Sequence, residues 1–122
     1  MNDPKHFDYF ADHPSLKGEA KIPMNADELF RSVEQWAVAR GLDDPKNKSK
    51  QALKVMEEVG ETMAAMARGN KAALKDGIGD SMVTLIILAM QCGLSARDCL
   101  ASAYDEIKDR KGKTVNGVFI KE

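Results

Sequence analysis

The sequence predicts an all-α protein built as a four-helix bundle. Apolar residues recur at the three- and four-residue spacing of helices over most of residues 25–111. Capping residues precede these segments, and glycines follow them. Residues 112–122 differ, because an Asn-Gly pair between β-forming residues indicates a short hairpin-like tail.

The N-terminal part contains an arm and the first helix. Residues 1–24 carry three prolines and scattered aromatic residues without a period, which predicts an arm lying over the helical domain of residues 25–111. Helix one is predicted over residues 25–40. Asn25 and Glu28 form a capping box at its start, and Gly41 ends it.

Helix two is predicted over residues 49–68, after a loop that contains Pro45. One of its faces carries apolar residues at helical spacing: Ala52, Met56, Val59, Met63 and Met66. The simplest interpretation is that these methionines fill the core of the bundle.

Helix three is predicted over residues 71–92 and helix four over residues 95–111. Helix three contains the run MVTLIILAM, which is apolar on every side and therefore typical of a buried helix. Four helices from so short a chain leave the outer side of helix three uncovered. We therefore expect at least a homodimer, either alone or as a dimer of dimers.

Composition narrows the possible partners and the compartment. The formal charge of the 122 residues is −1, so no overall field attracts nucleic acid or an anionic membrane. Cys92 and Cys99 form neither a disulfide framework nor a zinc pattern. The start of the sequence lacks the pattern of a signal peptide, so a reducing, cytoplasmic location is expected.

The candidate chemistry begins with a carboxylate cluster on helix two. Glu57, Glu58 and Glu61 project as one acidic patch, and such closely spaced charges repel one another unless a cation lies among them. Oxygen ligands of this kind suit magnesium. The alternative is a solvated acidic face paired with Lys54, which is the commoner situation for an isolated motif.

A second carboxylate pair strengthens the metal interpretation. Asp80 precedes a segment too apolar to face water, and Asp76 lies one turn earlier. Gly77 and Gly79 flank Asp80 at a cost of about 1 kcal/mol each, which suggests a close approach of backbones or a ligand. Asp80 either caps helix three or faces the acidic patch and completes an oxygen cage.

The order of these segments resembles a known family. The strings QWAVARGL, LKVMEEVGE and LKDGIGD, with the closing RKGK and NGVF, are similar to the MazG family of all-α nucleotide pyrophosphohydrolases. The signature of that family is E-E-x-x-E followed by E-x-x-D. The resemblance covers about residues 28–111 and looks closest to the short, single-domain members.

The resemblance implies a metal site and a reaction. Glu58, Glu61 and Asp80 would ligate Mg²⁺, or Mn²⁺ as a substitute, and Glu57 would be a further ligand or the base for water. A metal-activated water would convert a nucleoside triphosphate to the monophosphate and pyrophosphate.

This chain departs from the family pattern at one position. Gly77 stands where the family has the glutamate of E-x-x-D. We hypothesise that Asp76 partly replaces the missing carboxylate.

The resemblance also implies substrate contacts. Lys54, Lys108 and Arg110 would meet phosphate, and Trp36 and Gln51 would contact the base. Solvation of a helix end is an equal alternative for Lys108 and Arg110, and a core position is the more ordinary role for Trp36.

Two alternative functions stay open. A catalytically weakened or inactive helical dimer would keep the fold for a binding or regulatory role. A relative specific for a single nucleotide, such as dUTP, dUDP or phosphoribosyl-ATP, would use the same carboxylates.

Overall fold

The structure, a computed structural model, describes residues 24–122 as four helices and one small sheet. The helices are α1 (Ala26–Ala39), α2 (Lys48–Ala67), α3 (Lys71–Gln91) and α4 (Ala96–Ile107), with a 3₁₀ turn at Pro45–Asn47. The sheet pairs β1 (Gly112–Val115) with β2 (Val118–Lys121). The mainly helical fold class is confirmed. Of the predicted N-terminal arm, residues 1–23 lie outside the described residues.

Side-chain caps fix the starts of α1 and α4. The Asn25 side chain accepts a hydrogen bond from the Glu28 N–H at 2.9 Å and donates one to the Glu28 carboxylate at 3.1 Å. Ser95 caps α4 by accepting from the Asp98 N–H at 3.3 Å. These caps satisfy N–H groups that have no partner within the helix.

Helix α4 ends four residues before the predicted limit at residue 111. Its last helical residue is Ile107, and the Arg110 N–H donates to the Ile107 carbonyl in a turn at 3.0 Å. The turn leads directly into β1, which begins at Gly112. Residues 108–111, which the helical pattern had included, therefore form the turn and connection that precede the strand.

Helices α2 and α3 pack closely against each other in antiparallel order. Gln51 near the start of α2 donates to the Thr84 carbonyl of α3 at 3.0 Å. Further along α2, the Thr62 hydroxyl lies 3.3 Å from the Ser81 hydroxyl. The contact surface is therefore built largely from small and polar side chains.

Gly77 is a point of close approach between α2 and α3. A Cβ atom at this position would lie 3.0 Å from the Thr62 Cβ and 3.2 Å from the Thr62 Cα. At Gly79, by contrast, a Cβ would meet nothing within 4 Å. The close approach expected from this glycine pair is therefore found at Gly77 only.

Two parallel stripes run along α2, and the chain buries the less apolar one. We call Gln51, Val55, Glu58, Thr62 and Ala65 the inner stripe, and Met56, Val59, Met63 and Met66 the methionine stripe. Thr62 and Ala65 of the inner stripe are buried, whereas Met56 of the methionine stripe is 70% exposed. The expectation that these methionines fill the core is wrong for the single chain, because α3 packs on the inner stripe instead.

The remaining helices rest on α3. Helix α1 packs against α3 and α4, and within residues 24–122 none of its Cα atoms lies within 8 Å of a Cα atom of α2. Four apolar residues are buried among the described residues: Ala37, Ala65, Ile86 and Ile87. In the same part of the chain no single helix has the length and apolarity to cross a membrane, and α3 and α4 meet that test only as a pair bent by 101°.

The hairpin predicted from the Asn-Gly pair is present. Asn116 and Gly117 have φ angles of 50° and 79°, as a tight turn between twisted strands requires. The Phe119 side chain lies against Gly112, where a Cβ would come within 2.6 Å of the ring. Neither strand packs on a helix among the described residues.

Candidate functional site

A groove of about 710 Å³ separates α1 from α2, and α3 forms its floor. At one end it is lined by charged side chains, which are Lys54, Glu58 and Asp80, while Lys50 lies beside Gln51, which contacts Thr84 nearer the middle. At the other end it is lined mainly by uncharged ones, which include Trp36, Leu42, Ile87 and Gln91. Both α1 and α2 pack on α3, and the groove lies where their backbones are separated.

The groove brings together half of the residues predicted for the site. Trp36 of α1, Gln51, Lys54 and Glu58 of α2, and Asp80 of α3 all line it. These residues are separated by up to 44 positions in the sequence. The packing of three helices therefore brings these residues together.

The other predicted carboxylates lie outside the groove lining. Glu57 and Glu61 are exposed on α2, and Asp76 is exposed on α3 one turn before Asp80. Within the described part of the chain, no three acidic, histidine or cysteine side chains converge to hold a metal ion. Glu58 and Asp80 are the predicted carboxylates that share the groove.

The two predicted basic residues beyond α4 also lie outside the groove lining. Lys108 pairs with Asp105 at 2.8 Å, and Arg110 pairs with Glu106 at 3.3 Å. Both pairs are local and well exposed, so each adds little stability.

Glu58 is the least exposed carboxylate of the cluster and is held by Lys54. Its side chain is 14% exposed, and the Lys54 ammonium lies 3.3 Å from it and 3.9 Å from Glu57. The hydrogen bond to Glu58 and then the charge of Glu57 raise the pKa of Lys54 above its ordinary value. Lys54 is therefore held as a cation beside the most buried acid of the groove.

The donor set of the groove fits magnesium that binds together with a polyphosphate. Magnesium is commonly held by one or two carboxylates, with water and substrate phosphates completing its coordination. Glu58 and Asp80 supply two such carboxylates from facing helices. Lys54 adds a cation beside Glu58 that suits phosphate oxygens.

Trp36 lies at the surface and is not a core aromatic residue. It is 45% exposed, and the Arg40 guanidinium stacks over its ring at 4.3 Å from the ring centre. Arg40 also donates to the Trp36 carbonyl at 3.1 Å. The indole is thus fixed by a neighbour on its own helix while it lines the groove.

Gly77, which stands where the pattern that the sequence resembles has a glutamate, is buried in the contact between α2 and α3. The Thr62 hydroxyl, which it faces, donates to the Glu58 carbonyl at 2.7 Å. A carboxylate at position 77 would have no room beside Thr62 unless the helices moved apart. The departure from the family pattern therefore goes together with tight packing at this point.

Sequence reasoning missed Gln91. This residue is buried at the uncharged end of the groove, and its side-chain nitrogen donates to the Leu42 carbonyl at 2.8 Å. The available signal was a lone amide at the end of an otherwise apolar helix segment. Its partner lies 49 residues away, so the sequence pattern alone does not reveal the contact.

A second groove, on the opposite side of α3, is apolar. It has a volume of about 400 Å³ and is lined by residues of α1, α3 and α4 that include Phe30, Leu85, Ala89 and Leu100. The free thiols of Cys92 and Cys99 also line it. Its side chains offer no charged group for catalysis.

Comparison with known proteins gives a relative of undefined activity. Over 64 residues the chain is 41% identical to the uncharacterized 18.2 kDa protein in the rep-hol intergenic region of Haemophilus phage HP1 (strain HP1c1). The match covers 52% of this chain and 39% of the phage protein, so it spans well under half of that relative's length. The chain matches no protein-family model and no solved structure.

Proposed function

We propose that the groove binds a nucleoside triphosphate and hydrolyses it to the monophosphate and pyrophosphate in the presence of Mg²⁺. The observation that carries this proposal is the shared position of Lys54, Glu58 and Asp80 at one end of a groove that also contains Trp36 and Gln51. Carboxylates and a lysine suit a metal-bound polyphosphate, and an exposed indole suits a planar base.

The distribution of charged and uncharged side chains along the groove indicates how a substrate would lie in it. Asp80 at the charged end and Gln91 at the uncharged end are eleven residues apart on α3, or roughly 16 Å along the helix axis. We propose that the triphosphate lies at the Asp80 end and the base at the Gln91 end.

The roles of the individual side chains follow from their positions. Glu58 and Asp80 would hold Mg²⁺, or Mn²⁺ in its place, and the bound ion would supply charge neutralisation and an activated water. Lys54 would exchange its contact with Glu58 for a contact with phosphate, because both offer anionic oxygens. Glu57 and Glu61, one turn apart on α2, remain predictions as base or additional ligand.

The test is pyrophosphate release from each common ribo- and deoxyribonucleoside triphosphate, with and without Mg²⁺. The panel includes dUTP and phosphoribosyl-ATP, and also dUDP, for which release of inorganic phosphate is measured instead; it separates a general enzyme from one specific for a single nucleotide. We expect Glu58→Gln to lower kcat/KM about 100-fold or more, because the charge that faces the metal and phosphates is lost.

Glu34→Gln on α1 is the matched control, since it removes a carboxylate that does not line this groove. Glu61→Gln then measures whether the exposed part of the cluster takes part. Absence of magnesium-dependent turnover, or equal activity of the Glu58 and Glu34 variants, would contradict the proposal.

A non-catalytic role is the second candidate, and the packing at Gly77 and the ion pair of Lys54 favour it. Gly77 removes the family carboxylate, and Thr62 fills the adjacent space. Lys54 also already neutralises Glu58. Nucleotide binding without turnover would favour a binding or regulatory role.

We further propose that the chain forms a homodimer, or a dimer of dimers, through the methionine stripe, so that α2 and α3 pack as a bundle with a second copy. The stripe forms a continuous apolar row on α2, while Met82 and Leu85 are exposed on α3. The hairpin adds Val118 and Ile120, which are also exposed. Contiguous exposed apolar surface of this kind is typical of sites of protein association.

A further inference from the structure

Gln91 carries a buried acceptor that has no partner among the described residues. The side chain is 3% exposed, and its nitrogen donates to the Leu42 carbonyl at 2.8 Å. This bond fixes the orientation of the amide, so the free atom is the oxygen, Oε1. An unpaired buried acceptor is unfavourable, and this oxygen is covered in the structure, so a ligand that donates to it would do so after a small shift of the surrounding side chains.

The position of this acceptor indicates which part of a ligand it would meet. Gln91 lines the groove beside Trp36, Leu42 and Ile87, and none of these side chains is charged. Asp80 lies three helical turns from Gln91 along α3, at the end of the groove that we propose for the phosphates. A nucleotide held by its phosphates near Asp80 would therefore extend its base toward Gln91.

We infer that Gln91 Oε1 accepts a hydrogen bond from the exocyclic amino group of a nucleobase and makes the site selective for amino-bearing bases. The inference rests on the proposed binding of a nucleotide in this groove. Cytosine, adenine and guanine carry such a group, whereas uracil, hypoxanthine and xanthine have a carbonyl at the corresponding position.

The Leu42 carbonyl explains why an amino group fits better than an imide. It lies beside the Gln91 amide and is itself an acceptor with a second lone pair. An amino group offers two hydrogens to two neighbouring acceptors. The N–H of uracil is flanked by two carbonyl oxygens, and one of them would face the oxygen of Leu42 or Gln91.

Backbone contacts hold this acceptor pair in place. The Leu42 N–H donates to the Ala37 carbonyl at 3.0 Å, which ties the residue to the end of α1. Gln91 is the last residue of α3, and Cys92 after it donates to the Leu88 carbonyl at 3.1 Å. Both acceptors therefore belong to well-formed helix ends, which limits their movement toward a carbonyl-bearing base.

Trp36 completes the base site as a stacking surface. Arg40 covers one face of its ring, and Trp36 itself lines the groove, so the base would stack on the face that Arg40 leaves open. Arg40 is a positioning residue in this arrangement, because it acts on the base through the indole.

The experiment compares matched pairs of uncleavable nucleotides with the full chain and Mg²⁺. The probes are triphosphates whose α–β bridging oxygen is replaced by a methylene group, as the pairs cytidine with uridine and adenosine with inosine. Trp36 is the sole tryptophan, so quenching of its fluorescence reports binding, and calorimetry supplies an independent affinity. We expect the amino-bearing member of each pair to bind about tenfold or more tightly.

Gln91→Met tests the residue itself, because methionine keeps the approximate volume and removes the acceptor. We expect the preference within each pair to fall to about twofold or less, whereas Gln35→Met, on the exposed surface of α1, keeps it. If Gln91→Met fails to fold, the affinities measured within each pair for the wild-type chain decide the outcome. Equal affinities within the pairs in the wild-type chain overturn the inference while nucleotide binding stands. A lack of binding by all four probes overturns it together with the proposed function.

Discussion

The inner stripe and the methionine stripe of α2 make an instructive comparison, because they lie side by side and have opposite fates. The inner stripe contains a glutamine, a glutamate and a threonine, and it packs on α3. The methionine stripe is wholly apolar, and the single chain leaves it largely exposed. Apolar periodicity thus identifies a face that requires a partner, but it does not say whether that partner belongs to the same chain.

The difference also relates structure to chemistry. Small side chains in the inner stripe let α2 and α3 approach closely, and polar ones supply bonds between them. Glu58 belongs to this stripe, which explains why it is largely shielded while Glu57 and Glu61 are exposed. The candidate site is therefore an extension of the helix contact, and the methionine stripe is left free for assembly.

The largest expected effect comes from placing charge in the methionine stripe. Met56→Lys combined with Met63→Lys should weaken self-association about 100-fold or more. Each methionine buried in the interface contributes about 1.5–3 kcal/mol, and each copy of the chain would lose two of them. Sedimentation at micromolar concentration measures the change. Leu53→Lys, which replaces an exposed apolar residue outside the stripe, is the control. A wild-type chain that sediments as a monomer would refute the dimer.

Filling the close approach between α2 and α3 should have a smaller effect, on stability. Gly77→Ala should lower the free energy of unfolding by about 1–3 kcal/mol, because its Cβ would overlap Thr62. Gly79→Ala, two residues along the same helix, should raise it by about 0.5–1 kcal/mol, because the space is open. Urea denaturation compares the two, and similar effects of both variants would show that the contact is not tight.

The smallest expected effect concerns Lys54 and pH. The folded chain raises the pKa of Lys54, so the stability that its contact with Glu58 adds is fully present below the unfolded pKa of about 10.4. That stability is lost as pH rises through the higher folded pKa. The difference in stability between wild type and Lys54→Met should therefore be constant from pH 7 to 9 and shrink by pH 11. Lys50→Met is the control, and denaturation curves that show the same pH dependence for both variants would contradict the assignment.

Much of the fold was predictable because its signals are local. Asn25 and Ser95 cap helices through contacts within three residues, and the turn at Asn116 requires only its neighbour Gly117. The end of α4 was placed too late, because residues 108–111 form the connection to β1, and the start of β1 depends on its pairing with β2. Local patterns do not contain that information.

The candidate site was predictable in part. Glu58 and Asp80 were identified from their motifs, and both line the groove. Gln91 was missed, because its importance depends on Leu42, which is distant in sequence. The packing role of Gly77 was suggested by a glycine within a helix, but the residue that it meets, Thr62, could be found only from the fold.

The packing of α1 has a consequence for how a ligand enters. Helices α2 and α3 are locked together at Thr62 and Gly77, so the floor and one wall of the groove behave as one rigid unit. Helix α1 forms the opposite wall, and within the described residues none of its Cα atoms lies within 8 Å of a Cα atom of α2. Small pivots of α1 on α3 would therefore widen or narrow the groove without breaking the contact between α2 and α3. The motion that admits a ligand would then be a displacement of Trp36 relative to the fixed carboxylates Glu58 and Asp80, while the hydrogen bond from Gln91 holds Leu42 against α3.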